Sequence, residues 1–455
     1  MSKNKLYIKT QTKRDIKIIK ETSEQFTMFK VEKFPSYDEI LKDYSKEFSN
    51  YILPQGDTTF GFWMQTLADL ELLDLELQGL VEEYEINPLK RTVKFKGDEE
   101  LVRMRIAHLE KVENKPTLYA ELVDMFGDTN AYGFHNLYPY KGKFYPRVVR
   151  TLINAFKLDR NSIILDPFNG SGTTTHEASL MGIKSVGVDI TPMGVILAEL
   201  KNELLFLKEK ELNFTIDELE EILKLIEEKK WKHSNSTVYK LMLVIYFDTV
   251  DALLRTSKYN RKGKIKLFIE KFNYIVDCHK KIQKVKDKYK LNFEHAKIIQ
   301  GDALEIKNIN EIKEKFDACI TSPPYYFSID YVGKDKIAYD YLGIDIKQIE
   351  SKYLGMKSEV SYRQNTFDRL PLKVLRYYED LKEAIKNIYW ALKTGANLAI
   401  IIGDSTVNGR KIPTTMVTKK FCEEIGFKFE KLIFNPLLGV RNRAIRGESI
   451  IICHK

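Results

Sequence analysis

Cysteine is scarce in this chain. Four stand among 455 residues, at positions 278, 319, 422 and 453, and no two form a C-x-x-C pair. That usage excludes a disulfide framework and a paired-cysteine zinc site. His279 and His295 have no partner at metal-ligand spacing, so no metal is expected. No apolar run approaches the roughly 20 residues that span a bilayer. The N-terminus, MSKNKLYIKTQTKRDIKIIK, alternates lysines with short apolar stretches and lacks the apolar core of a signal peptide. A cytoplasmic protein is the expectation. With 44% hydrophobic and 30% charged residues, the composition is that of a folded chain. Its length suits two or three structural units.

The net charge of +9 is unevenly spread. Residues 1–130 carry 19 basic and 24 acidic side chains, whereas residues 231–290 carry 15 basic and 5 acidic, more than the surplus of the whole chain. Trp231, Tyr239, Tyr246, Phe247, Tyr259, Phe268, Phe272 and Tyr274 are interleaved in that window. Lysines with aromatic neighbours suit a phosphate backbone, because each neutralised phosphate releases condensed counterions. The plainer alternative is a solvated lysine-rich helix, as in KKIQKVKDKYK (Lys280–Lys290).

Phe62–Glu85 is rich in leucine and glutamate and reads as one long amphipathic helix, its leucines more often core than partner surface. From Asn161 the pattern changes to short apolar runs ending in turn residues: SIILDPF, SVGVDI, AKIIQGDA, FDACITS and NLAIIIGDS. Such runs indicate a parallel sheet covered on both faces, with ligands bound beyond the carboxyl ends of its strands. FKFEKLIFN and ESIIICHK then read as a terminal hairpin. The expected fold class is α/β, a doubly wound and mostly parallel sheet. One interval is too long: Asp189 and Asp302 lie 113 positions apart, where a single crossover helix at Met193–Phe206 would suffice. The remainder, 207–291, is a helical insertion holding the basic window, a natural place for polymer recognition.

Two loops carry the chemistry. In the first, Asp166-Pro-Phe-Asn-Gly-Ser-Gly-Thr-Thr174, Gly170 and Gly172 permit tight turns and close approach of a ligand, and Thr173 or Thr174 is placed to cap the following helix. Asp189, 23 residues on, can accept from ribose hydroxyls. The pattern is not G-x-G-x-x-G, and no lysine follows as in a phosphate loop, which favours a nucleoside without a pyrophosphate. The second loop is Thr321-Ser-Pro-Pro-Tyr325. Its prolines remove two backbone donors and leave carbonyls as acceptors, while Ser322 adds a side-chain acceptor and Tyr325 an aromatic plate. Acceptors beside a stacking ring are what an exocyclic amine on a heteroaromatic base requires.

With both loops in this context, the chain from about His135 to Lys455, apart from the insertion, resembles the amino-methyltransferases of DNA. These use S-adenosylmethionine to methylate cytosine N4 or adenine N6. The resemblance implies a seven-stranded methyltransferase sheet with a terminal antiparallel hairpin, plus the helical insertion and an N-terminal extension. It implies that HNLYPYKGKFYPRVVRTLI (His135–Ile153), with Tyr145, closes over the methionine end of the cofactor. Asp166, Pro167, Phe168, Asn169, Gly170, Ser171, Gly172 and Thr173 would form the cofactor loop. Asp189 and Ile190 would lie at the ribose, Asp302 and Ala303 near the adenine, and Ser322, Pro323, Pro324 and Tyr325 in the catalytic loop. Serine at the first catalytic position is commoner in cytosine-N4 enzymes. A carbon-5 cytosine enzyme would need a nucleophilic cysteine after proline, and no Pro-Cys pair occurs.

The expected function is site-specific methylation of a flipped base in double-stranded DNA, cytosine N4 ahead of adenine N6, within a restriction–modification system. The expected counterpart is a cognate endonuclease, with no direct binding implied. RNA methylation and a non-catalytic DNA-binding subunit are the rivals. The expected units are an accessory region 1–130, catalytic parts 131–206 and 292–455, and the recognition insertion 207–291. Cys319 reads as core, and His176 as structural or cofactor-adjacent, while His135 has no assigned role. Asp330 and Tyr331 are candidates for shaping the base pocket, Arg441, Arg443 and Arg446 for the DNA backbone, and Arg363 or Gln364 for base edges.

Overall fold

Short β-branched runs are poor helix formers and pack well on a pleated surface, and here they build one seven-stranded sheet. The strands are β1 (Ile163–Asp166), β2 (Lys184–Asp189), β3 (Ala296–Gln300), β4 (Phe316–Thr321), β5 (Leu392–Ile402), β6 (Lys428–Pro436) and β7 (Gly447–His454). Their spatial order is β6-β7-β5-β4-β1-β2-β3. Strands β1 to β5 run parallel, and β7 enters antiparallel between β5 and β6. Strand order reverses between β1 and β4, and at such a point the two flanking loops diverge and leave a crevice. In this computed structural model the described residues are 58–61, 63–64, 66–128, 131–255, 263–309, 315–326, 335–355, 372–407, 410–436 and 447–455. Residues 56–86 and 91–455 belong to one compact unit.

The helix expected over Phe62–Glu85 is shorter: α1 spans Leu67–Leu80. Thr66 opens it with a capping box, its hydroxyl accepting from Asp69 N and its own N–H donating to Asp69. Beyond Leu80, Tyr84 and Ile86 alternate with Glu83 and Glu85, a period of two, and Glu83–Asn87 is accordingly a strand. The crowded leucines are core on two sides. Leu73 and Leu77 join one apolar cluster, while Leu72 and Leu75 join another with α2 (Pro146–Ala155) and one face of the sheet.

Helix α3 (Thr173–Leu180) follows β1, and α4 (Pro192–Glu203) follows β2. The insertion is helical, with α5 (Ile216–Glu227), α6 (Ser236–Arg255) and α7 (Lys264–Tyr289). Its aromatics are not the surface plates the composition suggested. Trp231, Phe247, Phe268 and Phe272 are buried, Tyr239 and Tyr246 half-buried, and only Tyr274 of the described rings is exposed. Tyr259 lies outside the described residues. These rings share a core with Trp63, Tyr119 and Tyr132 from before the sheet, because burying a large ring stabilises more than leaving it in water. Several lysines of the window are paired: Lys240 with Glu199 and Glu203, Lys271 with Asp248, and Lys288 with Glu121. Helices α8 (Leu372–Ala391) and α9 (Thr414–Ile425) complete the flanks. Among the described residues no helix is long and apolar enough to cross a membrane.

Candidate active site

The two loops expected to carry the chemistry leave adjacent parallel strands, and a hydrogen bond joins them. The Thr321 hydroxyl, at the end of β4, donates to Asp166 Oδ1 at the end of β1 over 2.6 Å. Asp166 also accepts from Phe168 N at 3.1 Å, while its Oδ2 has no partner among the described residues. Burial pushes this carboxyl up to about 6, against the pull of the Thr321 bond.

Positive φ values of 48° at Gly170 and 79° at Gly172 turn the first loop. A Cβ on Gly172 would lie 2.7 Å from that of Ala198, so only glycine lets the loop meet α4. Gly172 itself caps α3, with no side-chain bond. Neither threonine is the cap: Thr173 and Thr174 stand inside the helix, and Thr174 donates to Ile320 O at 3.2 Å. Asn169 accepts from Thr175, and Ser171 from the buried Lys201, so these two support the loop from beneath.

Asp189 closes the turn from β2. Its Oδ2 accepts from Gly170 N at 2.7 Å and its Oδ1 from Thr191 N at 2.8 Å. Burial raises its carboxyl, and these bonds oppose the rise. Asp302 sits at the end of β3, accepts from Leu304 N and caps the short helix Ala303–Asn308.

A cavity of about 390 Å³ opens here, beyond the carboxyl ends of the parallel strands. Of the expected site residues, Tyr145, Pro167, Phe168, Gly170, Asp189, Ile190, Asp302, Ala303, Ser322, Pro324 and Tyr325 line it. Asp166, Asn169, Ser171, Gly172, Thr173 and Pro323 are not among the lining residues. The wall also holds Tyr140, Lys143, Thr191, Tyr353 and Glu448, none of them named individually from the sequence. Tyr140 and Lys143 belong to the upstream stretch whose role was read only collectively. Tyr353 and Glu448 arrive from distant parts of the chain and carry no local signal.

The second loop is tethered at several points. The Tyr377 hydroxyl donates to Pro324 O at 2.9 Å, so of the two proline carbonyls expected as outward acceptors, this one is engaged. Ser405 donates to Tyr326 O, and the Tyr325 hydroxyl donates to Glu448 Oε1 at 2.8 Å. Beneath the first loop lies a buried polar knot. Glu177 accepts from Arg150 Nε, His135 Nε2 and the Tyr132 hydroxyl. Burial alone would raise Glu177, but Arg150 and these bonds outweigh it and hold the carboxyl at about 2. His135 is thus structural, and His176 is buried against it. Cys319 is core. Asp330, Tyr331, Arg363, Gln364, Arg441, Arg443 and Arg446 lie outside the described residues.

S-adenosylmethionine fits this donor set. The volume lies in the range of small-molecule sites, roughly 300–1,000 Å³. Asp189 lies at the strand end where ribose hydroxyls dock. Gly170 faces the Tyr140 ring, where a Cβ would come within 3.3 Å and narrow the cavity. An α/β sheet with this strand order and this cavity defines a methyltransferase of the S-adenosylmethionine class.

Residues 2–199 match the DNA methylase family, and residues 137–367 the RMKL-like methyltransferase domain. The type II methyltransferase M.BsoBI of Geobacillus stearothermophilus is 25% identical, across 76% of this chain and 88% of its own. M.AvaI of Nostoc is 21% identical, across 66% and 80%. A segment of 67 residues is 45% identical to M.MjaII of Methanocaldococcus jannaschii, covering 15% of this chain and 12% of that one. The chain carries an RMKL-like methyltransferase domain over half of its length, and it resembles the DNA methylases in its first 199 residues and the type II DNA methyltransferases over most of its length.

Proposed function

We propose that this enzyme methylates cytosine N4 at a specific site in double-stranded DNA, as the modification arm of a restriction–modification system. The observation that carries the reading is one cavity lined by both Gly170 and Asp189 of the cofactor side and Ser322, Pro324 and Tyr325 of the second loop. Serine in place of aspartate at position 322 favours cytosine, by the preference within the family. The type II methyltransferases it resembles support the biological role.

Asp189 and Ile190 would hold the ribose, Asp302 and Ala303 the adenine, and Gly170 with Tyr145 the methionine end. When bound, the cofactor supplies an electrophilic methyl group. The target base must leave the duplex stack, since its amine is otherwise paired. Tyr325 would stack on it, and Ser322, which lines the cavity, would accept from the amine hydrogens. That orients the nitrogen lone pair for direct displacement. Positioning of this kind is worth about 7–11 kcal/mol in well-aligned systems, and fixed acceptors add electrostatic stabilisation. The insertion 207–291 is the proposed target-recognition region, its unpaired lysines rather than its buried rings meeting the DNA.

The test is incubation of the full chain with duplex DNA and labelled cofactor, followed by mass spectrometry of the nucleosides. N4-methyldeoxycytidine is expected; N6-methyldeoxyadenosine instead would overturn the choice of base. Modification-sensitive sequencing of DNA from expressing cells maps the site. Ser322→Ala and Tyr325→Ala should abolish transfer while cofactor binding persists, and full turnover in both would refute the catalytic assignment.

A further inference from the structure

We propose that Glu448 is a positioning residue of the base pocket, locking the Tyr325 ring in the plane against which the target base stacks. The inference rests on the reading of Tyr325 given above and extends it to a residue 123 positions away. Strand topology makes the meeting possible. Strand β7 runs antiparallel to β5, so its beginning lies beside the end of β5, with Ser449 opposite Ile402. Glu448, the residue before, therefore stands at the carboxyl edge of the parallel strands, where the cavity opens. There it lines the same cavity as Ser322 and Tyr325.

Tyr325 is held at both ends. At its root, the buried Tyr377 donates to the carbonyl of Pro324. At its tip, the phenol donates to Glu448 Oε1 at 2.8 Å. Tyr325 is buried, 7% exposed as a residue, and its hydroxyl bonds the Glu448 carboxyl. A stacking plate must hold its plane to within about 10–20° for the base to present its amine in line. A phenol anchored only at Cα can swing about χ1 and χ2, whereas one tied at its tip cannot. Burial raises the Glu448 carboxyl and the Tyr325 bond opposes the rise, as expected for an acid kept at this edge by its partner.

The experiment compares Glu448→Ala, Glu448→Gln, Tyr325→Phe, Tyr325→Ala and the double variant Tyr325→Phe/Glu448→Ala in the full chain. The substrate is unmodified plasmid DNA carrying the mapped site, and cofactor binding and melting are followed in parallel. Glu448→Ala should lower kcat roughly 10–100-fold, the range seen for outer-shell partners that orient metal ligands, with cofactor affinity changed less than about twofold. Glu448→Gln keeps an acceptor oxygen and should retain turnover within about fivefold. Tyr325→Phe should fall as far as Glu448→Ala, and the double variant no further, because one bond is removed in each case. Wild-type kcat in Glu448→Ala, or a double variant with multiplied losses, overturns the proposal. Glu448→Gln and Tyr325→Phe keep it falsifiable if the alanine variant folds poorly. Inactive Tyr325→Ala beside normal Glu448→Ala removes Glu448 alone; full turnover in Tyr325→Ala removes the stacking role of Tyr325, and with it this one.

Discussion

Replacing Thr321 by valine tests the strut between the two loops. Valine has nearly the same shape, so the substitution opens no cavity and removes only the hydroxyl. Thr321 and Asp166 are both buried, and their bond measures 2.6 Å. A buried hydrogen bond to a charged group contributes about 1.5–3 kcal/mol, and its loss leaves the acceptor's desolvation uncompensated. After the change the carboxyl keeps the Thr174 hydroxyl and the Phe168 N–H beside it. Thr321→Val is therefore expected to lose about 2 kcal/mol in urea unfolding and to push Asp166 further upward. Thr321→Ser keeps the hydroxyl and drops one buried methyl, for about 1 kcal/mol. The decisive comparison is methyl transfer: valine lets the second loop drift from the first, so its kcat should fall at least tenfold below that of serine. A valine variant as stable and as active as wild type, or a serine variant equally impaired, would refute the strut.

Arg150→Met strands the fully buried Glu177 carboxylate without its cation. The expected loss is about 3–5 kcal/mol in chemical unfolding; a loss below 1 kcal/mol would mean the knot does not support the loop. The two buried acids also act on stability with opposite sign. Asp166 titrates at about 6 in the fold, above its ordinary 3.8, so the folded state binds more protons between those values. Stability therefore falls as pH rises from about 4 to 6, by about 3 kcal/mol in total. Glu177, held at about 2, adds stability above its ordinary 4.5 that is lost as pH drops toward 2. Asp166→Asn should flatten the slope from pH 4 to 6 in ligand-free unfolding and leave the acid limb in place; an unchanged slope would contradict the assignment.

What was legible in the chain itself was local. A glycine at position 172 answers a positive φ and a close helix, a proline pair at 323–324 removes donors, and a short apolar run such as FDACIT that ends in turn residues reads as a strand covered on both faces. These demands are met within a few residues, and short motifs record them. Which way a side chain faces depends on what packs against it, and that is settled by elements far away in sequence. So Trp231, Phe247, Phe268 and Phe272 became core instead of nucleic-acid plates. The helix read across Phe62–Glu85 stopped at Leu80, beyond which the period-two stretch Glu83–Asn87 pairs with the strand Thr92–Lys96. Thr174 bonded a neighbouring strand instead of capping its helix. The remainder of the cavity wall came from tertiary structure alone. Tyr377 reaches Pro324 from helix α8, and Glu448 reaches Tyr325 because β7 is threaded antiparallel between β5 and β6, which brings its first residues to the edge where the parallel strands end.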